Sequence, residues 1–147
     1  MPKSPPDGMP TVCPYLYYRD VTAAIDWLEG AFGLRIRLSM PGAGGSIMHA
    51  ELELGEGLVM LGPANAAHGS RSPSELPAVN QSLYVYVDDV DAHFARARAA
   101  GAKILSEPVE MFWGDKFYTA ADCEGHRWSF AQHVRDVAPE DMKPPGG

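Results

Sequence analysis

Between residues 82 and 88 the chain alternates, with Leu83, Val85 and Val87 on one side and Ser82, Tyr84 and Tyr86 on the other. A period of two predicts a strand with one face turned to a core. The period then changes. Asp89 suits an N-cap, and Val90, Phe94 and Ala97 recur at helical spacing until Gly101. The same succession occurs earlier, with a strand predicted over 12–18 and Asp20 as cap. Val21, Ala24, Ile25, Leu28 and Phe32 form the stripe, and Gly33 is the stop. Three further extended pieces are expected after each helix, at 34–40, 46–54 and 58–62 and at 102–110, 115–122 and 126–134.

Gly55-Glu56-Gly57 fits a three-residue hairpin loop with Gly57 in the left-handed position. That register places Leu52, Leu54, Leu58 and Met60 on the helix side, and His49, Glu51, Val59 and Leu61 on the opposite face. A slip of one residue would invert every assignment in the hairpin.

The succession is a repeat. Tyr-Leu-Tyr-Tyr-Arg-Asp-Val (15–21) returns as Tyr-Val-Tyr-Val-Asp-Asp-Val (84–90), with Tyr15/Tyr84, Tyr17/Tyr86, Asp20/Asp89 and Val21/Val90 identical. At an offset of 68, Gly-Glu-Gly (55–57) meets Cys-Glu-Gly (123–125). One supersecondary unit built twice is the simplest account. The expected fold class is α+β, with two tandem βαβββ modules forming a cupped, barrel-like mixed sheet and helices outside. The expected domain spans 12–135, with module one at 12–62, a linker at 63–81 rich in Pro, Ser and Gly, and module two at 82–135. An N-terminal arm (1–11), expected to be disordered, and a loose tail (136–147) flank it.

Composition narrows the function. The 147 residues are 46% hydrophobic and carry a formal charge of −7, with a pI near 5.1. A nucleic-acid surface needs excess Lys and Arg, so that class is disfavoured. A negative field attracts cationic ligands. No run approaches membrane-spanning length, and the Pro-rich start lacks the apolar stretch of a signal peptide. Cys13 and Cys123, one per module, are expected to be reduced thiols, which fits a cytoplasmic location.

Four segments carry a family resemblance: Tyr-Tyr-Arg-Asp-Val (17–21), Ala-Ile-Asp-Trp-Leu-Glu-Gly-Ala-Phe-Gly-Leu (24–34), Tyr-Val-Asp-Asp-Val-Asp (86–91) and Asp-Cys-Glu-Gly-His-Arg-Trp (122–128). In order and spacing they resemble the vicinal oxygen chelate superfamily, which holds glyoxalases, extradiol dioxygenases, fosfomycin-modifying enzymes and bleomycin-resistance proteins. The resemblance covers about residues 12–133. It implies two βαβββ modules and, in the enzymes, a divalent metal held by one His, Gln or Glu from each of the first, fourth, fifth and eighth strands. Here those positions fall on Cys13, Leu61, Ser82 and Ser129. Such a set does not make an oxygen/nitrogen metal site, so neither metal nor cofactor is expected. The implied character is that of the metal-free bleomycin-resistance-like branch.

If Cys13, Ser82 and Ser129 mark the cavity face, strand alternation adds Tyr15, Tyr17, Tyr84 and Tyr86. Four phenols offer contact area with polar tips, suited to flat or cationic ligands; the alternative is that some are core residues. His49 and Glu51 point the same way, either as a ligand-contacting pair, a proton-transfer or metal pair, or exposed groups on an edge strand. Phe112, Trp113, Phe117 and Tyr118 bracket Gly114-Asp115. They resemble the groove wall of bleomycin-resistance-like members, or else cover a sheet edge. Trp27 and Trp128 read as structural, and His68, His93, His126 and His133 as linker, helix-flank, turn and strand-end residues. Glu107 and Glu110 fall in a loop without an evident partner.

The expected ligand-binding set is therefore Tyr15, Tyr17, His49, Glu51, Tyr84, Tyr86, Trp113 and Ser129. The expected function is metal-free binding or sequestration of an aromatic or cationic small molecule, related to antibiotic resistance, by a homodimer. The alternative is a glyoxalase- or dioxygenase-type lyase or isomerase with a rearranged site using His49 and Glu51, with His133 as a further candidate, so whether the protein is an enzyme stays open.

Overall fold

The computed structural model describes residues 1–146; of the tail placed at 136–147, the last residue lies outside them. The chain divides into two compact units, Met1–Ala78 and residues from Val79 on. Strand β1 (Tyr15–Tyr18), helix α1 (Val21–Phe32) and strands β2 (Arg35–Pro41), β3 (Ile47–Leu54) and β4 (Gly57–Pro63) form the first. Strand β5 (Ser82–Tyr86), helix α2 (Val90–Ala99) and strands β6 (Lys103–Glu110), β7 (Asp115–Ala121) and β8 (Arg127–His133) form the second. The fold class is α+β, built from two βαβββ modules as expected. Each module makes a four-stranded mixed sheet, in the orders β1-β4-β3-β2 and β5-β8-β7-β6, and neither sheet closes on itself. The parallel pairs are β1 with β4 and β5 with β8, and the other pairs are antiparallel.

The helices form where the apolar period predicts them. Asp20 and Asp89 accept hydrogen bonds from the N–H groups of Ala23 and Ala92, each at 3.0 Å, satisfying a donor the first turn leaves open. Helix α1 buries Val21, Ala24, Ile25, Leu28, Ala31 and Phe32, and Gly33 ends it at φ 75°. Helix α2 fully buries only Val90 and Ala97. The second core depends instead on its sheet, where Tyr118, Trp128 and Phe130 are 0–1% exposed and Phe130 stacks on both of the others. Asp122 anchors that core. Its Oδ2 accepts from the Trp128 indole at 3.0 Å, and its Oδ1 accepts the N–H groups of Glu124 and His126 in the β7–β8 turn. The first residue of Asp-Cys-Glu-Gly-His-Arg-Trp is thus a turn former and a tether for the tryptophan.

Sequence reading erred in one hairpin. The β3–β4 turn has two residues, Gly55 and Glu56; Leu54 pairs with Gly57, and Gly55 rather than Gly57 takes positive φ (59°). Leu52 therefore faces Val59, and Ala50 faces Leu61, on the buried helix side. Glu51 lies opposite Met60 and Glu53 opposite Leu58, so Leu58 and Met60, not Val59 and Leu61, share the face of His49 and Glu51. A one-residue slip in β4 inverts its faces, while the assignment of β3 stands. The first strands are also shorter than expected, so Cys13 precedes β1 and Val87 follows β5. Glu107 and Glu110 lie on β6 rather than in a loop, and Glu110 accepts from Arg135 Nε at 2.8 Å.

Candidate functional site

Each sheet turns one face to its helix and the other to a tyrosine-centred cluster. Alternation along β1 buries Leu16 and Tyr18 and leaves Tyr15 and Tyr17 about two-fifths exposed. On β5, Tyr84 and Tyr86 are more open still. These four are therefore not core residues. A phenol held on a sheet with its ring accessible offers contact area and a hydrogen-bonding tip.

In the first unit the rings of Tyr15 and Tyr17 lie 5.1 Å apart, and Tyr15 reaches across β4 to His49 on β3. It can do so because β4 carries Gly62 at the crossing point. A Cβ there would fall 2.5 Å from the Tyr15 hydroxyl oxygen. The chain of contacts runs Tyr15 Oη to His49 Nδ1 (3.0 Å), His49 Nε2 to Glu51 Oε2 (3.2 Å), and Arg37 Nη1 to Glu51 Oε1 (2.7 Å). Glu51 is buried and β3 is an interior strand, so the pair does not stand on an exposed edge. Burial, with Tyr17 adding to it, raises the pKa of the Tyr15 phenol.

The second unit builds a different cluster on the same strand positions. Asp115 opens β7 directly after Gly114, whose φ of 100° a side chain would strain and whose missing Cβ makes room for the Arg135 carbonyl. Asp115 is 2% exposed, and its Oδ2 accepts the hydroxyls of both Tyr84 and Tyr86, each at 2.8 Å. Its Oδ1 lies 2.9 Å from His133 Nδ1, and His133 Nε2 lies 2.7 Å from Asp136 Oδ1. Two carboxylates can only accept, so this geometry calls for a doubly protonated ring. The His133 pKa is raised accordingly, by the bonds to Asp136 and then Asp115. Burial pushes the Asp115 carboxyl up, but the bonds from His133, Tyr84 and Tyr86 outweigh it and hold it below its ordinary range. Tyr84 is pushed up to about 12, first by burial, with the Trp113 side chain working against the shift by hydrogen bonding. Tyr86 rises through its bond to Asp115, then burial.

Aromatic contact extends this second face. Tyr86 meets Tyr84 edge-on (5.6 Å), Tyr84 meets Phe117 (5.8 Å), and Phe117 meets Trp113 (5.8 Å), which meets Phe112 edge-on (5.0 Å). Trp113 is half-buried within this run. Tyr118 belongs to the core on the other side, where its hydroxyl meets His93 Nδ1 at 2.6 Å. Ser129 pairs with Tyr84 in register, is nearly buried, and its Oγ meets Thr119 Oγ1 at 2.8 Å.

Sequence reading thus named Tyr15, His49 and Glu51, which the first unit brings together, along with Tyr17 beside them. It named Tyr84, Tyr86, Trp113 and Ser129, which the second unit places on one sheet. It missed Arg37 and Asp115, and it gave His133 a place only in the rearranged enzyme site. Asp115 and His133 meet as cross-strand partners of β7 and β8, eighteen positions apart, a relation no local spacing encodes. The Gly-Asp step between aromatics was the available signal.

The family's divalent ion can be tested against these residues. Parallel register aligns Tyr15 with Met60 and Tyr84 with Ser129, so the fourth-strand counterpart of Ser129 is Met60, not Leu61. Cys13, Met60, Ser82 and Ser129 mix soft sulfur with neutral hydroxyls and contain no His or carboxylate. Among the described residues no three His, Cys, Asp or Glu side chains come together as a metal-ligating group. The residues present do not fit the ion. Nor, among the described residues, is any helix long and apolar enough to cross a membrane.

Comparison with known proteins agrees with this architecture. TioX from Micromonospora sp. ML1 is 37% identical, with a TM-score of 0.67 over 82% of this chain and 95% of that one. TnmS3, an antibiotic binding protein from Streptomyces sp. CB03234, shares the fold at 20% identity, with a TM-score of 0.62 over 82% of this chain and 92% of its own. An uncharacterised protein of Mycobacterium bovis, Mb0911c, is 34% identical over 91% of this chain and 90% of its own length. Residues 10–130 match the model of the Glyoxalase/Bleomycin resistance protein/Dioxygenase superfamily, and the chain belongs to that family.

Proposed function

We propose that the protein binds and sequesters a small aromatic or cationic molecule without a metal, in the manner of the bleomycin-resistance-like members of its family. The observation that carries this reading is the pair of accessible tyrosine clusters on the sheet faces whose ligand positions hold Cys13, Met60, Ser82 and Ser129 in place of His or carboxylate. Rings with exposed faces give stacking area, and fixed hydroxyls give orientation. The aromatic run from Tyr86 to Phe112 supplies a continuous aromatic surface in the second unit. A fold that serves antibiotic binding in TnmS3 is compatible with this use. The ligand-contacting residues in this reading are Tyr15, Tyr17, His49, Glu51, Tyr84, Tyr86, Trp113 and Ser129, and the working form is a cytoplasmic homodimer.

The geometry disfavours His133 as a general base. Both its nitrogens already serve carboxylates, so it has no lone pair with which to take a proton. The test is a thermal-shift and fluorescence screen of untagged, chelator-treated protein against planar cations and neutral aromatics. A stabilised melt without added metal is expected, because a ligand that binds only the folded state raises the melting temperature. Stoichiometric retention of zinc, iron or manganese through chelation, with turnover that depends on it, would overturn the proposal in favour of a lyase or dioxygenase.

A further inference from the structure

Hydrogen-bond direction goes further than the presence of tyrosines. A phenol has one proton and two lone pairs, and an ionised carboxylate has no proton to give. Tyr84 and Tyr86 both stand 2.8 Å from the same atom, Asp115 Oδ2, so both protons point inward to Asp115. Even a protonated Asp115 could donate to only one of them. What these hydroxyls present outward is lone pairs. Asp115 sits directly behind both oxygens as a negative charge, and the Asp115–His133–Asp136 group holds two carboxylates to one imidazolium.

The first unit reaches the same polarity by another route. Glu51 accepts bonds from Arg37 and faces His49 Nε2, so that nitrogen carries the ring proton. In the neutral ring Nδ1 then accepts, and Tyr15 donates to it at 3.0 Å. The Tyr15 hydroxyl also turns lone pairs outward.

We propose that these tyrosine faces select planar compounds bearing hydrogen-bond donors, such as aryl-amine or ammonium N–H groups, and discriminate against compounds whose polar groups only accept. Asp115 is the positioning residue that sets this polarity in the second unit. The inference rests on the small-molecule-binding reading above and narrows its ligand class.

A matched set of dyes separates donation from charge and stacking. Proflavine is a planar cation with two aryl-amine groups. Acridine orange keeps the ring system and the charge but carries methyl groups in place of the amine hydrogens. Anthraquinone-2-sulfonate is planar and only accepts. Fluorescence titration is expected to show proflavine binding roughly tenfold more tightly than acridine orange, as two net hydrogen bonds would give, and anthraquinone-2-sulfonate most weakly. In Asp115→Asn the amide oxygen stays with His133, so the amide N–H₂ takes the place of Oδ2 and donates to the phenols, turning their protons outward. The preference for proflavine over acridine orange, two cations of the same charge, should fall to about twofold, a change that neither loss of the Asp115 charge nor general loosening of the unit would produce. If Asp115→Asn does not fold, the Tyr84→Phe/Tyr86→Phe variant carries the test, and its proflavine-to-acridine-orange ratio should fall to about two. Equal affinity for the two acridines in the unaltered protein overturns the inference and leaves the binding reading standing. Failure of all three dyes to bind or shift the melt overturns both.

Discussion

In the first unit a tyrosine hydroxyl leans on a histidine; in the second, two lean on one carboxylate. The tyrosines are repeat equivalents on equivalent strands, yet the groups that orient them share neither chemistry nor position. His49 accepts from Tyr15 because Glu51 holds the ring proton on Nε2, so the polarity of Tyr15 is set at one remove. Asp115 can only accept when ionised, so the polarity of Tyr84 and Tyr86 is set. Duplication preserved the aromatic surface and the strand register, and it left the polar supports free to diverge. The cores differ in the same way. The first is closed by six helix residues, and the second by Tyr118, Trp128 and Phe130 from its own sheet.

The core difference supports the largest expected effect. Trp128→Ala removes a side chain that is 1% exposed and takes the indole donor from Asp122 Oδ2. It should cost about 4 kcal/mol in urea unfolding, against about 2 kcal/mol for Val59→Ala at the equivalent position of β4. Equal costs would mean that the two cores are not built differently.

Next come the polar supports. Asp115→Ala removes the acceptor shared by three side chains, Tyr84, Tyr86 and His133 Nδ1, and should destabilise the protein by about 2 kcal/mol, whereas Glu51→Ala removes the acceptor of two, Arg37 and His49, and should cost about 1 kcal/mol. The comparison fails if Glu51→Ala proves the more damaging. At the crossing points, Gly62→Ala should displace the Tyr15 ring at a cost of about 1 kcal/mol. A crystal structure should show the Tyr15–His49 bond broken. Ala131→Gly, beside Tyr86, should leave the Tyr86–Asp115 bond in place.

The smallest effect is on pH dependence. Asp115 is held below its ordinary value of 3.8, so its contribution is complete above that value and is lost as pH falls through the lowered one. His133 is held above its ordinary value of 6.5, so its contribution is complete below 6.5 and is lost as pH rises through the raised one. Between those ordinary values the second cluster is at full strength. Asp136→Asn should bring the His133 midpoint down in an NMR titration and leave that of the Tyr15 phenol, in the other cluster, where it was. Movement of both would show that the clusters are not independent.

The sequence by itself determined the elements and their repetition. Hydrophobic period and capping residues act over a few positions, so Asp20, Asp89, the helix stripes and the alternation at Tyr84 and Tyr86 could be read directly. It also determined that His49 and Glu51 share a face, since that needs only the strand period within β3. Tertiary structure decided what depends on pairing between strands. A two-residue turn at Gly55-Glu56 set the faces of Leu58, Val59, Met60 and Leu61, and the β7–β8 register joined Asp115 to His133. The missing Cβ of Gly62 let Tyr15 cross β4, and Arg37 reached Glu51 from a neighbouring strand. Register is a long-range quantity. A shift of one residue leaves the local pattern of a strand intact while exchanging its faces, so the orienting chemistry of the tyrosines became visible only once the sheets were paired.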